Sequence, residues 1–394
     1  MRISTVWCAA LLAAAVPGCK KKSAETDQSA AKTTTGETKT GSDMAAGSAA
    51  MATGSGSAVA ETPKAATPDD MAKRYVECWG FWGAKDWKSF ETCYTKDATS
   101  DFVDSGMPQA AGWDQISARD KQTTDAFPDV KGSLEVTLIN GHNGATFALL
   151  TGTHTAPMKT PMGDVPPTNK KIGLQIAHLA HFADDGKAVD KEWLYQDMGE
   201  MMGQLGLSKA PVRAATDKPW HDNEIVVAKD DDNEKKNLAT INQTLDAFNK
   251  HDAKALGEAL DDKIVWSEQG MPKDMTNKAE AVKSHEGLMK AFSDVKFSSD
   301  TAWAAGDYVV VQGTMTGTND GAAPDMGIAK PTKKAVNLKF AQLFKLKDGK
   351  IINSWGYWNS AAFAQQLGMM PPAGAAKPGE KKDEKAEKKP AGKK

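Results

Sequence analysis

The chain has almost no net charge, −2 from 49 basic and 51 acidic residues, which excludes the strong basic excess of a nucleic-acid footprint. It shows no Ser-centred nucleophile elbow, no phosphate-cradling Gly loop and no Cys/His metal spacing. The acidic run Asp230–Asp232 lacks the alternation and the Gly that a calcium loop needs. Neither a metal nor an organic cofactor is therefore expected. Tyrosine is scarce, five residues, against eleven Trp, which points to large aromatic interiors or pockets. Cysteine is scarcer still, with four residues.

The N-terminus reads as a targeting signal. Arg2 precedes an apolar run, Ile3–Val16, too short to span a bilayer as a mature helix. The run ends Val16-Pro17-Gly18-Cys19, small residues before a Cys, which resembles a bacterial lipoprotein lipobox. On this reading 1–18 is removed, Cys19 is lipidated, and the protein is anchored to a membrane of the cell envelope, at the outer membrane or the periplasmic face. An ordinary secretory signal cleaved nearby is the other reading. Residues 19–67 are Ala/Ser/Thr/Gly/Lys-rich without an aromatic residue and are expected to form a disordered tether. Residues 371–394, a Lys/Glu/Pro/Ala tail, are expected to be disordered as well. With Cys8 removed and Cys19 acylated, Cys78 and Cys93 remain, and they suit either a disulfide or two buried thiols.

What lies between the tails is a duplication. Trp355, Tyr357, Leu367 and Gly368 each fall 162 positions after Trp193, Tyr195, Leu205 and Gly206. Two domains follow, 68–209 and 233–370, joined by a linker, 210–232, with two Pro and the acidic run. In the first, Thr67-Pro68-Asp69-Asp70 is a helix start, and Met71, Tyr75, Cys78, Trp79 and Trp82 mark one apolar helical face. Trp87, Phe90 and Tyr94 mark a second helix, and a third is expected near Trp113–Ala126. The period then changes, and Leu134–Ile139, Ala145–Thr155, Ile172–Phe182 and Val189–Tyr195 read as strands. The second domain repeats the order. The expected fold class is α+β: three N-terminal helices packed on a curved antiparallel sheet, twice.

Several strings in this order resemble the SnoaL-like polyketide cyclase and ester cyclase group of the nuclear transport factor 2-like superfamily. They are Phe127-Pro128-Asp129, Gly152-Thr153-His154-Thr155, Pro166-Pro167-Thr168, Asp185-Gly186-Lys187, and the closing Trp193, Tyr195, Asp197 and Gln204-Leu205-Gly206. The resemblance implies a cone-shaped α+β barrel with a deep apolar pocket between helices and sheet. It also implies ring closure without metal or organic cofactor, by an Asp near the end of the last strand, a place that Asp197 matches. Many relatives only bind ligands or act on other substrates.

Cofactor-free proton transfer needs a carboxylate in an apolar cavity. Asp197 alternates with Trp193 and Tyr195, so all three are expected on one strand face, lining the pocket. Asp197 also suits the N-cap of the helix that follows, as does Asn359 at its place in the second copy. His154 is the second candidate, expected to orient or polarise the substrate, and aligned with Met315. Since both candidates are non-ionisable in the second copy, that copy is read as a degenerate partner. His178 and His181 fall on opposite strand faces, and His181, aligned with Phe344, is expected in the pocket with His178 pointing away. Trp79, Trp82, Trp113 and Asp129 complete the expected pocket around a small apolar or aromatic molecule. The two copies are expected to form an intramolecular pseudo-dimer. The function expected is acid–base chemistry on an apolar carbonyl or ester compound by the first domain; the alternative is a binding or assembly module.

Overall fold

The computed structural model describes residues 64–160 and 163–370. The signal segment, Cys19, nearly all of the tether and the C-terminal tail lie outside the described residues. Among those described, no helix is long and apolar enough to cross a membrane.

Helix α1 (Pro68–Ala84) begins where Thr67 and Asp70 cap each other reciprocally, with Pro68 already fixed at a helical φ. Its buried face is Met71, Ala72, Tyr75, Cys78 and Trp82, and it stops at Lys85, whose φ of 57° breaks the helical run. Asp86 caps α2 (Trp87–Glu91), and the chain enters β1 (Tyr94–Phe102), a short edge strand β2 (Ala110–Ala111) and α3 (Trp113–Ala126). There follow β3 (Lys131–Asn140), β4 (Asn143–Thr153), the small hairpin β5 (Met158–Thr160) and β6 (Gly163–Val165), then β7 (Lys171–Phe182), β8 (Val189–Tyr195) and α4 (Met198–Gln204). Cys78 and Cys93 form a disulfide, tying α1 to the turn before β1.

The linker is not featureless. Glu224–Val227 is a strand, β9, paired parallel to β3. Asp231, in the acidic run, caps α5 (Asp232–Asn249) in a capping box with Glu234. The second repeat continues with α6 (Ala253–Ala259), β10 (Leu260–Glu268), α7 (Lys278–Ala291), β11 (Lys296–Ala305), β12 (Tyr308–Thr318), β13 (Ala335–Lys347), β14 (Lys350–Tyr357) and α8 (Ser360–Gln366).

The first sheet runs β2-β1-β8-β7-β4-β3-β9 and the second β10-β14-β13-β12-β11. Neither is wholly antiparallel, because β1 lies parallel to β8 and β10 parallel to β14. In each repeat a strand therefore intervenes before the third helix, and a short helix closes the repeat.

Each sheet has one face under its own helices, and the other faces share a core. Val136, Leu138, Phe147, Leu179 and Tyr195 of the first repeat pack with Trp303, Val310, Leu343, Trp355 and Tyr357 of the second. The linker adds Trp220, stacked on Trp355 with ring centroids 4.4 Å apart. Some polar groups inside this contact are matched: the Gln312 amide donates to the Tyr195 hydroxyl at 2.8 Å, and the Tyr308 hydroxyl donates to Glu224 at 2.7 Å.

Candidate functional site

Alternation along β8 decides what faces the helices. Trp193 and Tyr195 lie against the shared core between the repeats, and Glu192, Leu194 and Gln196 lie on the other side, on the wall of a cavity of about 90 Å³. The alternation expected from the sequence is present with the faces exchanged, and the expectation that Trp193, Tyr195 and Asp197 line the pocket is corrected. Both faces of this sheet are covered, so aromatic character did not distinguish pocket from interface.

The cavity is closed by Tyr75, Trp79 and Trp82 of α1, by Arg119, Asp120 and Thr123 of α3, and by Ile176 and His178 of β7. A hollow of about 60 Å³ continues past Arg119 and Gln196 toward Met158 and Met201. Its polar centre is Glu192. One carboxylate oxygen accepts from His178 Nε2 at 2.9 Å and the Tyr94 hydroxyl at 2.8 Å; the other accepts from Ser100 Oγ and from Arg119 at 3.2 Å. The Tyr75 hydroxyl meets His178 Nδ1 at 2.6 Å, so both ring nitrogens are engaged. Burial alone would raise the Glu192 carboxyl; His178, Arg119 and Ser100 outweigh it and hold the group at about 2.

Asp120 is the opposite case. Its carboxylate is half-buried on the same wall, has no hydrogen-bond donor among the described residues, and has the Arg119 Nε 3.9 Å away. Burial, with a further push from Glu192 against the pull of Arg119, raises it to about 7. Two carboxylates in one cavity are thus driven apart, one permanently ionised and one poised near neutrality.

The remaining expected site residues fall elsewhere. Asp197 caps α4 through Gly199 N at 2.8 Å, and its buried carboxylate meets the second repeat instead of the cavity. His154 is fully buried, stacks near Phe127 and accepts from Thr168 N at 3.3 Å through Nδ1. The ladder bonds set its true counterpart: His154 pairs with Lys170 and Asn169 as Asn319 does with Lys334 and Lys333, so it matches Asn319, not Met315. Asn319 makes the same clamp, accepting from Thr332 N at 2.6 Å. The structure does not bring Asp197 and His154 together in the cavity. His181 is partly exposed and pairs with Asp190 at 2.8 Å, while His178 is the one in the cavity, which reverses the expected faces. Register also places His181 opposite Lys191 as Lys345 is opposite Asn353, so its counterpart is Lys345 and not Phe344.

Asp129 is exposed and clamps Thr153 at N, 2.6 Å, and at Oγ1, 2.7 Å; Asp294 clamps Thr318 N likewise at 2.6 Å. Trp113 packs on Phe90 and Tyr94 behind the cavity wall. Trp79 and Trp82 do line the cavity. Sequence reasoning missed Tyr75, Tyr94, Ser100, Arg119, Asp120 and Glu192. The available signal was the α3 pattern, where Ile116 is fully buried and Asp120, one helical turn on, follows it on the inward side.

The second repeat is not an empty copy. Its cavity, about 140 Å³, is the larger of the two and carries its own ionisable groups, Glu268 and His285. Its reading as degenerate is corrected on this ground.

The profile of the SnoaL-like polyketide cyclase family matches residues 69–205 and 239–367, and the chain belongs to that family, with its domain present twice. Among solved structures, AclR from Streptomyces galilaeus is 24% identical over 35% of this chain and 99% of its own, with a TM-score of 0.32. A SnoaL-like protein of Jannaschia sp. CCS1 is 19% identical over 36% of this chain and 97% of its own, with a TM-score of 0.33. TsrD from Streptomyces laurentii is 17% identical over 34% and 97%, with a TM-score of 0.31. No curated protein matches the chain.

Proposed function

We propose that the first repeat performs cofactor-free proton transfer on a small apolar carbonyl or ester compound, with Asp120 as the acid/base. The observation that carries this is Asp120 itself, a carboxylate on a largely apolar cavity wall without a hydrogen-bond donor among the described residues, close to half ionised at neutral pH. Taking a proton from the carbon beside a carbonyl puts negative charge on the carbonyl oxygen, and Arg119 supplies a cation on the same wall. Glu192 keeps Arg119 and His178 in place and remains charged throughout. Trp79 and Trp82 form the apolar wall for the body of the substrate.

Two further elements belong to this reading. Cys19 anchors the protein to an envelope membrane, supported by the lipobox-like end of the apolar run. The repeats act as an intramolecular equivalent of a dimer, supported by their shared aromatic core. A first-repeat fragment that is a stable monomer and ignores the second repeat would count against the latter.

The test follows deuterium exchange at the carbon next to the carbonyl, by proton NMR, in a panel of aryl ketones and esters that quench Trp fluorescence on binding. Exchange should rise with pH through a transition near 7 and be lost in Asp120→Asn while binding persists. Binding without exchange in the unmodified protein would move the assignment to a carrier.

A further inference from the structure

The cavity of the second repeat differs in chemistry from the first at every polar position. By strand register Glu268 stands where the first repeat has Phe102, since it faces Gly356 as Phe102 faces Leu194. By the Ala-Phe strings ending the two helices, His285 of α7 stands where α3 has Asp120. Among the described residues, no Lys or Arg lines this cavity.

Burial raises the Glu268 carboxyl above the usual carboxylate range, against three N–H donors and the nearby charge of Arg213. Trp266 Nε1 donates to Oε1 at 2.6 Å, Gln342 Nε2 to the same oxygen at 3.3 Å, and Trp358 Nε1 to Oε2 at 2.9 Å. All three are N–H donors, which favour the carboxylate and leave acceptor capacity on Oε2. Gly356 makes the room: a Cβ there would lie 2.1 Å from Oε2. Arg213 does not neutralise the carboxylate, since it donates to the Glu268 backbone carbonyl at 2.9 Å and pairs its charge with Asp274 at 2.7 Å. His285 Nδ1 lies 2.6 Å from the Ala281 carbonyl, so that nitrogen carries the proton and Nε2 is left as an acceptor.

Beside the Ser284 hydroxyl, the polar groups this cavity offers a guest are therefore acceptors, and among the described residues lining it no cation stands next to the Glu268 carboxyl, whose charge a bound cation would restore. The rest of the wall is apolar, part aliphatic and part aromatic and thioether, the latter including Phe248, Phe297, Phe340 and Phe344 with Met271 and Met315. Ring faces attract cations and have little use for anions. We propose that the second repeat is a binding site for a small organic ammonium ion, a protonated amine on an apolar body, with Glu268 as its counter-ion. The volume, about 140 Å³, suits a body the size of one ring, since an engineered cavity of about 150 Å³ takes benzene.

The test is calorimetric titration of the full chain with benzylamine, protonated at pH 7, beside benzyl alcohol of the same shape. Benzylammonium should bind about tenfold or more tightly than the alcohol, a charge and cation–π preference of the size one such contact gives. Glu268→Gln should erase the preference, and Asp120→Asn in the other cavity should leave it intact. Should Glu268→Gln fail to fold, the indole N–H resonances of Trp266 and Trp358, assigned with single Trp→Phe variants, provide the second reading, and benzylammonium should shift both. Equal affinity for the alcohol, no binding of the amine, a preference that survives Glu268→Gln, or unmoved indole signals would each overturn the proposal.

Discussion

Asp197 Oδ1 accepts the hydroxyl of Ser360 at 2.7 Å and its backbone N–H at 3.0 Å, so the residue that caps the last helix of one repeat also receives the first residue of the last helix of the other. The second repeat's cap crosses too, to a different element: Asn359 donates to the carbonyl of Asp104, in the loop after β1, at 3.0 Å. Gly199 admits Ser360, whose Oγ would lie 2.1 Å from any Cβ at that position.

This makes Asp197 a residue of stability. Asp197→Ala removes a cap and strands the donors of Ser360, at a cost of about 2–3 kcal/mol. Asp197→Asn, which keeps a capping oxygen, is expected to cost about 1 kcal/mol or less. Urea unfolding followed by Trp fluorescence measures both, and ligand affinity of the first cavity should be unchanged in the folded variants. Loss of binding at wild-type stability would return Asp197 to the candidate site.

Stability is expected to fall as pH rises from about 5 to 8. Burial, reinforced by the charge of Asp197, raises Glu200 to about 8, and burial raises Glu135 to about 7 against the N–H donors of Gln175 and Trp220. Both groups hold their protons in the folded chain above the ordinary value of 4.5, so the stability they contribute is complete below that value and lost as pH passes their folded values. Glu192 acts in the other direction, its contribution present above 4.5 and lost as pH falls toward 2. The melting temperature across pH 3–9 should therefore peak near 5, and Glu200→Gln should flatten the alkaline limb. An alkaline limb unchanged in that variant would show the decline to come from other groups.

Reduction of the Cys78–Cys93 bridge should lower stability by about 3 kcal/mol, the loop-closure value for a separation of 15 residues. The second repeat has Thr244 and Ala259 at the matching places, so the whole effect enters through the first. Urea midpoints with and without a phosphine reductant measure it, and a Cys78→Ala/Cys93→Ala variant should show no further response to reductant. A response in that variant would place the reductant's action elsewhere.

The periodicities of this chain carry most of its fold. The Met71 to Trp82 helix face and the four strands of the first repeat, from Leu134 to Tyr195, are all observed where the apolar spacing puts them. The face of β8 that opens on the cavity is not legible. Trp193 and Tyr195 are aromatic because they meet the other repeat, and Glu192 on the cavity side looks like an ordinary solvent-facing acid until His178, Arg119, Ser100 and Tyr94 are seen around it. Glu192 is brought to Ser100 across 92 residues and to Arg119 across 73, contacts that no local pattern encodes. The spacing between the repeats is illegible for a related reason: the strands match in register while the offset between the copies changes along the chain, so the counterpart of His154 is Asn319 and not Met315, four places earlier.

The core shared by the two sheets has a bearing on how such a chain changes over generations. Deleting either repeat would strip cover from Tyr195 and Leu179 on one side, or from Trp355 and Tyr357 on the other, leaving an aromatic sheet face open to water. The duplication is for that reason hard to undo. Among the described residues the two cavities share no lining residue, and substitutions at Phe102 or Glu268, at Asp120 or His285, fall in one chamber and not in its twin. Ancestral joining of this kind constrains the scaffold and releases the two chambers to follow separate histories.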